Sequence, residues 1–99
     1  MPVNLVVVPE ADLDIAEAYG WYEGRAFGMG EQFLASVDAC IEGIRRRPEM
    51  YPVVYERYRR ALTRRFPYAI FYEHSEAAVT IYAVFHTSRD PDKWRKRLS

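Results

Sequence analysis

Ninety-nine residues, 49% hydrophobic and 15% aromatic, are too apolar for a disordered chain and too few for a second core, so residues 1–99 are read as a single domain. The formal net charge of zero hides a split: residues 1–50 carry four arginines against nine acids, and residues 51–99 carry ten Lys/Arg against five, so the second half points to an acidic partner. The lone cysteine, Cys40, excludes an intrachain disulfide, and there is no signal peptide and no apolar run near 18 residues, which gives a cytoplasmic location and no membrane contact as expectations.

Val3 to Val8 is a β-branched run ended by Pro9 and reads as a buried first strand. Pro9 suits the first turn of a helix, and Glu10, Asp12 and Asp14 favour the positive end of its dipole. From Glu10 to about Arg25, Ala11, Ile15, Ala18, Tyr19 and Tyr22 recur at helical spacing. The segment Phe27-Gly28-Met29-Gly30 predicts a tight link. A second helix to about Arg47 follows, with Phe33, Leu34, Val37, Ile41 and Ile44 on one face, so the two helices form an antiparallel hairpin. Arg45, Arg46 and Arg47 lie at its negative end, and Pro48 stops it.

Pro52 to Tyr55 reads as extended chain, and Tyr58 to Thr63 as a solvent-facing strand because of Arg59 and Arg60. Tyr68 to Glu73 is the strongest strand; His74 to Ala77 is a hairpin connection. In the strand Val79 to Phe85, strict alternation puts Val79, Ile81, Ala83 and Phe85 on one face and Thr80, Tyr82, Val84 and His86 on the other. Asp90-Pro91 caps a short basic helix to about Leu98 that presents Trp94 and Leu98 on one side. Strands segregated from helices predict an α+β fold: an N-terminal strand, a helical hairpin on a mostly antiparallel sheet of three to four strands, and a short C-terminal helix.

Several stretches in order resemble the RelE/ParE superfamily of toxins from type II toxin–antitoxin modules. They are Pro9-Glu10-Ala11, Ala18 to Tyr22, Gly28 to Phe33, Arg47 to Pro52, Phe66 to Tyr72, and Phe85 to Pro91 with Trp94. The resemblance implies a small cytosolic toxin that a partly disordered antitoxin wraps, as a hetero-oligomer, with no metal and no cofactor. Its branches differ in chemistry: ParE-like members poison DNA gyrase, and RelE-like members cleave mRNA in the ribosomal A site. A fold shared by both does not choose between them.

A metal-free ribonuclease needs a group that titrates near neutrality and cations on the phosphate, and His86, Arg65 and Arg89 are the candidates for those catalytic roles. For contact with antitoxin or target the candidates are Arg59, Arg60, Arg64, Arg65, Tyr68, Tyr72, Arg89 and Trp94. Each has a plainer role beside it. His86 can end a strand and bond the Asp90 turn, the arginines can be solvated charges on an outer strand, and Tyr68, Tyr72 and Trp94 can be packing residues. Where RelE-like ribonucleases carry a phosphate-binding arginine, this chain has Ala69, and Lys93 and Lys96 are its only lysines. Both departures put a ParE-like toxin that binds and poisons gyrase first. A ribosome-dependent mRNA endonuclease comes second, and an inactive relic that only binds antitoxin third.

Overall fold

The computed structural model describes residues 4–99. In chain order the elements are β1 (Asn4–Val7), α1 (Pro9–Arg25), α2 (Met29–Arg46), β2 (Val53–Tyr55), β3 (Tyr58–Leu62), β4 (Tyr68–His74), β5 (Ala78–His86) and α3 (Pro91–Leu98). The α+β arrangement expected from the sequence is present, but the sheet is larger than expected. It has five strands in the order β1-β5-β4-β3-β2. β1 runs parallel to β5, with Leu5 opposite Val79, and β2 pairs antiparallel with β3. Both extra pairings are short edge strands, which carry little periodic pattern of their own.

Edge position also corrects the expectation for the first strand. Val3 lies outside the described residues, Leu5 and Val6 are 36% and 46% exposed, and only Val7 and Val8 reach the core. The strand from Tyr58 is corrected in the opposite sense. With β2 outside it, β3 is an inner strand, and its Tyr58 and Ala61 are buried on the two faces of the sheet.

The hairpin link is built by backbone chemistry. Gly28 adopts φ +85°, a conformation that suits glycine. The Glu23 carboxylate of α1 accepts from the Gly28 and Gly30 amides at 3.0 and 2.9 Å, so one helix satisfies the first amides of the next. A Cβ at Gly30 would meet the Tyr19 ring at 2.8 Å, so glycine there sets how closely α1 and α2 approach.

One face of the sheet packs on the hairpin. Tyr22, Phe33, Phe66 and Tyr68 form a ring cluster with centroids 4.9–6.1 Å apart. Ile44, Ile70, Tyr72, Val79 and Ile81 extend this core. The other face holds Tyr58, Ala69, Phe71, Ala83 and Phe85 under α3, whose Trp94 stacks on Phe71 at 5.0 Å. Strict alternation along β5 fails, because Phe71 pairs with Ala83 and Tyr72 with Ile81, which leaves Tyr82 as an extra residue. The bulge exchanges the faces beyond it. Val79, Ile81 and Val84 therefore join the hairpin core, while Ala83 and Phe85 join the α3 core.

Cys40 lies on α2, where its thiol donates to the Leu62 carbonyl at 3.6 Å and burial pushes its pKa up to about 11. Nucleophilic attack needs the thiolate. Iodoacetamide at pH 8 should therefore alkylate Cys40 in the folded chain at least about tenfold more slowly than in the urea-unfolded chain, as read by mass spectrometry. Equal rates would contradict this burial.

Candidate functional site

The candidate arginines divide by structural role. Arg59 is fixed: its guanidinium donates to the carbonyls of Glu49 and Tyr51 at 3.1 and 2.6 Å, which ties β3 to the chain leaving α2. Arg60 is half-buried on the α3 side of β3. Arg64 and Arg65 are exposed on the β3–β4 loop. The Thr63 hydroxyl donates to the Phe66 carbonyl at 2.6 Å and holds this loop. Ser36 donates to the Arg64 carbonyl at 2.5 Å, and Arg65 donates to Gln32 at 2.8 Å, so the loop is fastened to α2. Arg65 has φ +71°, a left-handed conformation held by these contacts.

Between this loop and α2 lies an open groove of about 580 Å³, lined by Ala35, Ala39, Gly43, Leu62, Arg46, Arg64 and Arg65 among others. Arg46 was not among the sequence candidates. Its place in the groove depends on the angle at which α2 crosses β3, which no local pattern reports.

A second pocket of about 340 Å³ opens between α1 and the ends of β4 and β5. Buried Ala18, Tyr22 and Val84 line it together with Tyr68, His86 and Arg89. Trp21, 55% exposed, joins the lining, and Arg25 stacks on its ring at 4.3 Å. Burial is the main cause that raises the Tyr68 hydroxyl pKa above its usual value. His86 packs edge-on against Tyr68 at 5.3 Å. Its Nδ1 accepts the Ser88 amide at 3.0 Å, so this network assigns the remaining proton to Nε2. The histidine thus closes the turn after β5 through Ser88, where the sequence suggested the Asp90 turn. The Asp90 carboxylate caps α3 through the Asp92 amide at 2.9 Å.

The three candidate catalytic groups do not converge. His86 and Arg89 share the second pocket, while Arg65 lines the groove beside α2. Arg89 lies over Phe85, 4.9 Å from the ring centre. Ala69 is 3% exposed inside the α3 core, so an arginine at that position would enter an aromatic layer. Tyr72 and Trp94 are corrected from contact residues to core residues. Tyr72 is fully buried and donates to the Pro48 carbonyl at 2.5 Å, and burial pushes its pKa up to about 12. Trp94 is 8% exposed against Phe71.

Sequence reading also missed an ion pair. Arg97 of α3 meets Asp14 of α1 at 2.8 Å, and Asp14 accepts the Val84 amide at 3.0 Å. The pair closes the outer edge of β5 just beyond the end of β1, where the Val8 amide bonds the Ile81 carbonyl. The partners lie 83 positions apart, and nothing local signals them. Among the described residues no cluster of three His, Cys, Asp or Glu is placed to hold a metal ion, and no helix is long and apolar enough to cross a membrane.

The family model described as the ParE toxin of the type II toxin–antitoxin system, parDE, matches residues 5–91. Among solved structures, a chain of the chromosomal ParDE TA system from P. aeruginosa superposes with a TM-score of 0.64 at 15% identity, covering 87% of this chain and 97% of that one. At that identity the likeness speaks for the fold. No curated protein matches the chain.

Proposed function

Because the chain belongs to the family of ParE toxins of type II toxin–antitoxin systems, we propose that it arrests growth by binding and poisoning DNA gyrase, and that a cognate antitoxin neutralises it. The observation that supports a binding mode is the separation of Arg65 from His86 and Arg89. Cleavage of RNA without a metal needs proton transfer and charge stabilisation at one phosphate. Here Arg89 alone of the two phosphate-binding candidates shares a pocket with His86, Arg65 lines a separate groove, and the ring nitrogen Nδ1 of His86 is occupied by Ser88. Ala69, shut inside the α3 core, supplies no further cation.

A protein-binding role uses what the surface offers, above all the arginine-bearing groove between α2 and the β3–β4 loop. Induction of the chain alone should stop growth, and purified chain should inhibit supercoiling by DNA gyrase or trap its cleaved complex. The His86→Ala variant should keep toxicity within about threefold, because it removes a turn contact at the surface and no reacting group. Loss of toxicity with His86→Ala, together with A-site cuts in cellular mRNA by primer extension, would replace this reading with the endonuclease. Abundant soluble chain without growth arrest would sink both.

A further inference from the structure

We infer that the outward face of α1 docks a second copy of this chain, helix against helix and antiparallel, about a two-fold axis passing beside Trp21. This contact is independent of the cellular target and of the antitoxin.

Three observations carry it. The first is an apolar face with nothing on it. Ala11, Ala18 and Tyr22 turn the inner side of α1 to the core. Leu13 and Trp21, 64% and 55% exposed, lie on its outer side, and Phe27, 99% exposed, extends that side just past the helix end. A surface helix of a globular domain normally keeps its outer side polar. A run of large exposed apolar side chains marks a contact surface.

The second observation is the backbone beneath them. Gly20 and Gly24 fall within about 20° of Leu13 around the helix. Packing within the chain requires neither glycine. A Cβ at either would meet nothing within 4 Å, whereas one at Gly30 or Gly43 would strike Tyr19 or Tyr51 at 2.8 Å. Glycine is the costliest residue after proline in a helix interior. What it offers on an exposed face is close approach of another backbone, since contact side chains set the spacing of packed helices.

The third observation is charge, and it selects the occupant. Glu17 and Arg25 are exposed, each four positions from Trp21 and on the same flank as its ring. The ion pairs of the described residues engage neither, and Arg25 rests on the Trp21 ring. A two-fold axis brings identical flanks of an antiparallel pair together. Centred on Trp21, it sets Glu17 of each copy opposite Arg25 of the other and lays the two Trp21 rings side by side. Leu13 lies ~12 Å before the axis and Phe27 ~9 Å after it, at about 1.5 Å per residue. Leu13 of one copy therefore comes level with Phe27 of the other. A parallel pairing would set Glu17 against Glu17 and Arg25 against Arg25. The face is thus complementary to itself in the antiparallel sense alone.

The test is sedimentation velocity of the full-length purified chain over a concentration series. The wild type should pass from monomer to dimer. Gly20→Leu has room within its own chain and should weaken the dimer at least about tenfold by holding the two backbones apart. Glu17→Arg and Arg25→Glu each place like charges at both pairs and should each weaken it at least about tenfold. The double variant exchanges the charges and should return to within about threefold of the wild type. Circular dichroism checks the fold of each variant. A chain that stays monomeric throughout, a dimer that survives Gly20→Leu, or single reversals without effect would each overturn the inference. So would a double reversal that stays monomeric after both single reversals have lost the dimer, because it would exclude the antiparallel register.

Discussion

Phe33→Ala should lower the unfolding free energy by about 3–5 kcal/mol in urea titration, enough to leave a marginal domain partly unfolded at 37 °C. Phe33 is fully buried and lies at the centre of the hairpin core. Its ring meets Tyr22 at 5.4 Å, Phe66 at 5.6 Å and Tyr68 at 5.0 Å. Truncation removes the transfer energy of the ring and leaves a cavity whose walls belong to α1, the β3–β4 loop and β4. Those walls cannot collapse together, because the Thr63 and Ser36 hydrogen bonds pin the loop and Glu23 pins the hairpin link. Phe33→Leu fills most of that space and should cost about 1–1.5 kcal/mol. A loss near 1 kcal/mol for Phe33→Ala would mean that the cluster carries far less of the stability than its geometry indicates.

Asp14→Ala should cost about 2–3 kcal/mol, the second largest effect expected of a single replacement. The carboxylate is 10% exposed, and it holds two unlike elements: the guanidinium of Arg97 at 2.8 and 3.1 Å and the amide of Val84. Its removal leaves a 27% exposed arginine without its charge partner and a strand-edge amide without an acceptor. Double replacement of Asp14 and Arg97 by alanine should cost less than the sum of the single replacements, because the second change removes the charge that the first left stranded. Additive effects in that cycle, read from urea midpoints, would show that the pair is not coupled. α3 should loosen first, since Arg97 also donates to the Tyr82 carbonyl at 3.3 Å and so fastens the helix to the bulge of β5. A red shift of tryptophan emission from Trp94 ahead of global unfolding would report it.

Helices and turns were legible because their causes are local. Pro9 starts α1, Pro48 follows α2, and Asp90-Pro91 starts α3. The spacing of Phe33, Val37, Ile41 and Ile44 fixed which face of α2 is buried. β4 was legible from its aromatic and β-branched content. The ends of the sheet were less so. β1 holds its place through a parallel pairing with β5, more than seventy positions away, and a four-residue strand cannot announce so distant a neighbour. The bulge at Tyr82 was hidden for a related reason. It is defined by what stands opposite, Phe71 and Tyr72 on β4, and a single strand read alone shows only alternation.

The candidate site followed the same rule. Sequence identified the cationic and aromatic residues of the second half, and Ala69 as a departure from the ribonuclease pattern. It could not sort them, because arginines of equal charge take different roles according to what their guanidinium groups reach. Arg59 reaches two carbonyls and becomes structural, Arg65 reaches Gln32 across a groove, and Arg89 rests on Phe85. Tyr72 and Trp94 had the composition of contact residues and the location of core residues.

By itself the sequence determined a single α+β domain, its helical hairpin, its strongest strand and its basic second half, since hydrophobic spacing, prolines and charge act within a few residues. The tertiary structure alone decided the order of five strands, the exchange of faces at the bulge, the Asp14–Arg97 clasp, and the assignment of Arg65 and His86 to different concavities. Each of these depends on which distant segments share a boundary, and burial and directional hydrogen bonding fix that only once the chain has packed.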